Sequence, residues 1–314
     1  RPPRSTLFPY TTLFRSLQNK IDFAVVMRVS NANPNGDPLN GNRPRSSYDS
    51  IGEITDVCLK RKLRDRLLED GETIFVQSDD RRAPGDDCRN LAERARRTLG
   101  EKLGGPETVS EACRIWFDVR AFGQLFAIKK ATKTSARPSA TKNRAVAEEA
   151  RQQDDEGPEG AGGISIGIRG PVTLQSAFSI EPIEVTSTQI TKSVSGEGDG
   201  SKRSSDTMGM KHRVDHGIYL CVGSMNPQLA VRTGFSDDDA ATIKRILPRL
   251  FENDASAARP EGSMEVLRVV WWQHPSKSGV CSSAKVHRSL SVAADGEVTV
   301  APIDGLAVEV IPGF

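Results

Sequence analysis

Apolar runs and their spacing set out the elements of this chain. Residues 22–30 (DFAVVMRVS) are apolar for most of their length, without a break from Phe23 to Met27. In a strand that places apolar side chains on both faces, so the run predicts a central strand of a sheet. It stops in NANPNGDPLNGNRPR (31–45), where Asn, Gly, Asp and Pro predict a long, specified loop and not a tight hairpin. Thr55 or Asp56 then caps a helix reaching about Leu68, in which Leu59, Leu63 and Leu67 make one apolar stripe. Residues 72–77 (ETIFVQ) predict the second strand.

Between 79 and 163 the texture changes. A charged helix over 90–103 precedes Thr108 and Glu111, a capping-box spacing that opens a second helix toward FDVRAFGQLFA (117–127). Residues 120–144 then carry seven basic side chains and no acid, among them Arg120, Lys129, Lys130 and Lys133. Residues 148–159 carry six acids against Arg151, so 79–163 reads as an insertion with a two-signed tip. Strand texture returns at 164–180 and 183–190. The Gly/Ser-rich stretch 192–213 lies between strand-like flanks, the second being VDHGIYLCVG (214–223), and predicts a long hairpin extension. Ser236 caps a helix running to about Asn253, with Asp237–Asp239 in its first turn. A strand at 265–273, a hairpin turning at Asp295–Gly296 and a strand at 306–311 close the chain. The predicted class is α+β, a β-α-β-β-α-β ferredoxin-like core with two excursions.

Composition narrows what such a chain does. Its 314 residues hold 37% apolar side chains, enough for a core. Forty-three Lys and Arg stand against 41 Asp and Glu, so a polyanion site must come from the arrangement of charge, not from its total. Five scattered cysteines without C-x-x-C spacing predict reduced thiols in a cytoplasm. The longest apolar runs are about five residues, against the ~20 of a membrane helix. Residues 1–20 share no period with the strand after them, and TLFPYTTLFRS resembles a translated sequencing adapter. They are set apart as a foreign or disordered extension. The four histidines have no ligand spacing and GEGDG (196–200) lacks the G-K-[ST] of a phosphate loop, so no metal or cofactor is expected.

Three basic groups remain as candidates for binding. At 100° per residue Lys60, Arg61 and Arg64 share an arc beside the leucine stripe, while Lys62 and Arg66 flank its other side. The acid-free stretch is the second group. Lys202, Arg203, Lys211 and Arg213 on the hairpin are the third, with Met208 and Met210 as adaptable apolar contacts. Together they suit phosphate tracking along single-stranded nucleic acid. Aromatics are only 5%, and no RNP1-type run occurs, so base stacking on sheet aromatics is not expected. Asp37, in NPNGDP, reads as a turn residue; the alternative is a metal-binding carboxylate for phosphodiester cleavage.

Five motifs in one order carry a resemblance: NANPNGDPLNGNRPR, ITDVCLKRKLRDRL, WFDVRAFGQLFA, IRGPVTLQSAFSIEPIEVTSTQIT and DTMGMKHRVDHGIY. Across about 22–292 the chain resembles the repeated backbone subunit of the type I-C CRISPR surveillance complex Cascade. The resemblance implies a right-hand shape. A modified RRM-like palm takes up 21–78, 164–190 and 214–314, a fingers insertion 79–163 and a thumb hairpin 191–213. It implies a non-catalytic subunit whose copies polymerise head-to-tail along one CRISPR guide RNA and present it to target DNA. The other partners would be the guide 5′-handle, large and small subunits, and no membrane. It adds Asn35, Arg43, Arg45 and Gln175 to the candidate contacts. Related subunits of type III complexes cut RNA with an aspartate in the corresponding loop, which is the source of the ribonuclease alternative for Asp37.

Overall fold

The computed structural model describes residues 16–128, 164–191 and 208–314. The chain begins with β1 (Ile21–Ala32), two short strands β2 (Gly36–Asp37) and β3 (Arg43–Pro44), β4 (Ile51–Ile54) and α1 (Asp56–Glu69). Three helices come next, α2 (Leu91–Leu99), α3 (Thr108–Ile115) and α4 (Phe117–Phe122), leading into the ribbon of β5 (Gly123–Ile128) and β6 (Ile164–Arg169). Then come β7 (Val172–Leu174), β8 (Ala177–Pro182), β9 (Val185–Thr191) and the 18-residue β10 (Met208–Met225). The remaining elements are α5 (Pro227–Thr233), α6 (Asp237–Ile246), β11 (Met264–Gln273), α7 (Ser283–Arg288), β12 (Leu290–Val292), β13 (Val298–Val300) and β14 (Ala307–Pro312).

The main sheet is antiparallel in the order β14-β11-β1-β10-β8-β4, with β7 and β9 also paired to β10. Taking β1, β8, β10 and β11 as first to fourth, the spatial order is fourth-first-third-second. Helix α1 comes after the first strand and α6 after the third, which is a β-α-β-β-α-β arrangement. The fold is α+β. β1 is central because both its faces are apolar. Phe23, Val25, Met27 and Val29 enter the main core under α1 and α6, while Ala24 faces a smaller core with Val270, Trp272 and Val286.

Helix α1 forms as its spacing predicts. Thr55 is extended, its hydroxyl accepts from the Cys58 N–H at 3.3 Å, and Leu59, Leu63 and Leu67 are fully buried. Other expectations need correction. Residues 72–77 form no strand. The Asp118 carboxylate accepts from the N–H groups of Phe75 (2.7 Å) and Val76 (3.0 Å), and Arg94 donates to the Phe75 carbonyl at 2.7 Å. Side chains thus take up the hydrogen bonds a sheet neighbour would have made. Thr108 and Glu111 make no capping box: Thr108 is the first residue of α3, and its hydroxyl donates to the Lys102 carbonyl at 2.7 Å. A capping box does close at Ser236 and Asp239, but α6 stops at Ile246 with Pro248 in the turn beyond, short of Asn253.

The limits drawn for the terminal extension and the insertion also shift. Leu17 is buried in the main core, its N–H donates to Phe235 O at 2.8 Å, and Ser16 bridges to Ser236. Residues 16–20 therefore belong to the folded body, not to the extension; residues 1–15 lie outside the described residues. The insertion has its own core of Ala95, Leu99, Cys113 and Trp116, but Phe75 before it and Ile168 after it are part of that core. It is rooted by two glycines. A Cβ on Gly170 would lie 2.3 Å from Ala121 O, and one on Gly123 (φ +83°) would lie 2.3 Å from Ile168 O. The WFDVRAFG and IRGP motifs meet at this crossing.

Candidate nucleic-acid interface

The three cations on the α1 arc face different neighbours. The Lys60 ammonium is 2.9 Å from Asp56, one turn back. Arg61 is 44% exposed and reaches Asp65 at 3.1 Å and the solvent-facing Asp80 at 3.2 Å. Arg64 is largely buried, donates from Nε to Asp118 at 2.9 Å and lies 5.3 Å from the Phe122 ring centre. The far-side residues Lys62 and Arg66 are buried and paired with Asp254 and Glu69. Burial lowers the Lys62 pKa and raises that of Asp65. Exposed pairs are worth ~1 kcal/mol or less, so the Arg61–Asp80 contact is a weak one. Arg64 is a structural staple. Arg120, counted in the acid-free stretch, is likewise taken up, by Asp239 at 2.7 Å and by the Phe117 ring at 4.6 Å.

The loop after β1 is fixed throughout. Asn35 Oδ1 accepts from both the N–H and the hydroxyl of Thr55 at 2.9 Å, tying the loop to the start of α1. The Asp37 carboxylate accepts from the Leu39 N–H at 3.2 Å and faces Arg45 at 3.4 Å. Asn31, Asn42 and Ser50 hold positive φ, and a Cβ on Gly36 would meet Asn42 Oδ1 at 2.0 Å. Among the described residues no group of three or more His, Cys, Asp or Glu is placed to hold a metal ion. Arg43 donates to Ser187 Oγ at 3.1 Å, and Ser187 is 2.8 Å from His212 Nδ1, so the loop braces the base of the β9–β10 ladder.

On that ladder Met208 is opposite Thr191, Met210 opposite Gln189, Lys211 opposite Thr188 and Arg213 opposite Thr186. Alternation puts Lys211 and Arg213 on one face and Met208, Met210 and His212 on the other. Met208 and Met210 are 59% and 55% exposed. Arg213 pairs with Asp215 at 3.2 Å. Gln175 presents an exposed side chain between β7 and β8, its backbone N–H bonded to Val222 O at 2.9 Å. Arg43 thus meets the hairpin at Ser187 and His212, on the face opposite Lys211 and Arg213. Lys129, Lys130, Lys133, Lys202 and Arg203 lie outside the described residues.

Two groups escape the sequence reading. Asp22 and His274, both fully buried, meet at 2.8 Å with Lys20 at 3.4 Å and His287 at 3.8 Å, pinning α7 to the sheet. The signal was present in the isolated acid within an apolar strand. Arg169 is exposed at the end of β6, and nothing in the local pattern marks it.

Fold and site together define an α+β protein with a braced loop and a cation-bearing hairpin. A family model for CRISPR-associated protein Cas7 matches residues 19–309, and the chain belongs to that family. A CRISPR-associated protein Cas7 from Haloferax volcanii is 26% identical over 253 residues, covering 76% of this chain; the aligned chain spans 66% of that relative's length. Two solved structures are similar over 81% of the chain. One is titled CRISPR RNA-guided surveillance complex, pre-nicking (TM-score 0.41, 13% identity, 78% of that chain), the other CRISPR RNA-guided surveillance complex (TM-score 0.39, 14% identity, 68% of that chain). Among the described residues no helix is long and apolar enough to cross a membrane.

Proposed function

We propose that this chain is a guide-RNA-binding backbone subunit of a Cascade surveillance complex of type I-C, a structural and not a catalytic component. Family membership across residues 19–309 carries the reading. Copies line up head-to-tail on one CRISPR RNA, with the main sheet as palm, the 79–163 region as fingers and the β9–β10 hairpin as thumb. Guide 5′-handle, large and small subunits complete the cytoplasmic assembly, and target DNA pairs with the exposed guide. A subunit that coats any guide must hold phosphates and leave base edges free, and a near-neutral chain with local cations suits that demand. Head-to-tail growth needs a heterologous interface, in which different surfaces of each copy meet. The exposed methionines of the hairpin supply one such surface.

Native mass measurement on the chain co-expressed with guides of graded length tests this. The number of copies should rise in step with guide length. A single copy on every guide would sink the reading.

A further inference from the structure

A pocket of about 500 Å³ opens beside α1, walled by the α4–β5 junction, the end of β6, β7 and α5. Two cations from separate elements, Lys60 and Arg169, stand at it, and Phe122, Val172 and Leu229 give it an apolar lining. Lys60 spends one of its three donors on Asp56 and keeps the others. The Phe122 ring is held in place, with the Arg64 guanidinium 5.3 Å from its centre and that guanidinium fixed by Asp118. Two cations lining a pocket with an apolar, partly aromatic wall match a group that is anionic at one end and flat and apolar at the other.

The glycine at 167 points the same way on separate grounds. Gly123 and Gly170 are glycines because packing leaves no room for a Cβ. At Gly167 a Cβ would meet only Leu125 Cδ1, at 3.9 Å, an ordinary contact, and its φ is not positive. Neither packing nor backbone conformation demands glycine there, yet it lines the pocket. A bare backbone at a pocket wall lets a ligand approach closely.

We propose that this pocket seats one nucleotide of single-stranded nucleic acid, its phosphate on Lys60 and Arg169 and its base against Phe122, Val172 and Leu229. The proposal rests on the guide-binding reading, which by itself does not say where any base lies.

The test uses the full chain with a guide RNA carrying 4-thiouridine and, in a second arm, single-stranded DNA carrying 4-thiothymidine. Irradiation should attach label to peptides containing Phe122 or Leu229. Label from RNA assigns the seat to the guide, and label from DNA assigns it to the target strand. Gly167→Val should weaken binding of the labelled strand on the order of tenfold, as expected for loss of one stacked base, at an unchanged melting temperature. Arg169→Ala should reduce the salt slope of log K by about 0.7. If Gly167→Val does not fold, Arg169→Ala decides alone. Wild-type binding with no label in the pocket, and an unaltered affinity and slope in Arg169→Ala, would overturn the seat and leave the guide-binding reading standing. A wild-type chain that binds neither strand would overturn both.

Discussion

Arg61 and Arg64 sit nearly one turn apart on the same arc of α1, and their surroundings give them opposite duties. Arg64 and Asp118 share a buried contact in which Asp118 also holds the N–H groups of Phe75 and Val76. Removing one partner of such a pair leaves the other charge desolvated, so Arg64→Ala should cost about 3–5 kcal/mol in urea unfolding. Arg61→Ala should change stability by no more than about 0.5 kcal/mol and should lower the salt slope of RNA binding by about 0.7. Equal destabilisation by the two variants would mean the burial argument is wrong. At the Asp22 cluster the ordering is by protonation. Burial pushes the His287 pKa below its usual value, against the raising effect of Asp22. The unfolded chain therefore binds the proton first as pH falls below about 6.5, and stability declines from there down to the lower folded-state value. His287→Gln, whose amide is able to donate to Gly223 O as His287 Nε2 does at 3.1 Å, should flatten that part of the melting-temperature profile. An unchanged slope would assign the titration to another group.

Local periodicity explains which elements the sequence made legible. The four-residue leucine repeat predicts α1 because the information lies within one helix, and continuous apolarity predicts β1 because both faces of a central strand are buried. ETIFVQ misleads for the opposite reason. Its backbone bonds go to Asp118, 43 residues away from Phe75, and no short-range pattern records that partner. The α1 arc shows the same division within the candidate site. Helical geometry puts Lys60, Arg61 and Arg64 side by side, but Asp80 and Asp118, which decide what each is able to bind, arrive from other segments. The hairpin was visible in composition, while its face pattern needed the register. That pattern yields a prediction at the same scale. Met208→Lys with Met210→Lys replaces side chains already half in solvent, so the melting temperature should stay within about 2 °C. Cooperative loading of successive copies on guide RNA should be lost, seen as isolated single-copy complexes in native mass spectra. Full arrays from this variant would remove the methionine face from the interface between copies.

Among the described residues the main core and the second core meet along α4, whose Phe117 and Ala121 lie in the first and whose Val119 lies in the second, and two ion pairs reinforce that seam. The main core lies under α1 and α6, and the second surrounds Trp116, Phe126 and Phe75, whose rings are 4.6–6.3 Å apart. Arg64 to Asp118 is one link. Arg120 to Asp239 is a second: the guanidinium, on α4, reaches both carboxylate oxygens at 2.7–3.1 Å, and Asp239 also closes the capping box of α6 by accepting from the Ser236 N–H at 2.9 Å. α4 is thus tied to the start of α6 as well as packed into the main core, and Arg120 over Phe117 covers that contact. Regions of unequal local stability unfold together only while the contacts between them hold. Wild type should show one urea transition whether monitored by tryptophan fluorescence or far-ultraviolet dichroism, although Trp116 lies in one core and Trp271 in the other. Arg120→Ala leaves Asp239 poorly compensated at the α6 start and loosens α4. The two probes should then separate, with fluorescence from Trp116 changing at the lower urea concentration, isolated by Trp271→Phe and Trp272→Phe in the same background. Coincident transitions in that variant would show that the apolar contacts around Phe75 suffice to couple the cores, and that a rigid joint between the two regions does not depend on the ion pair.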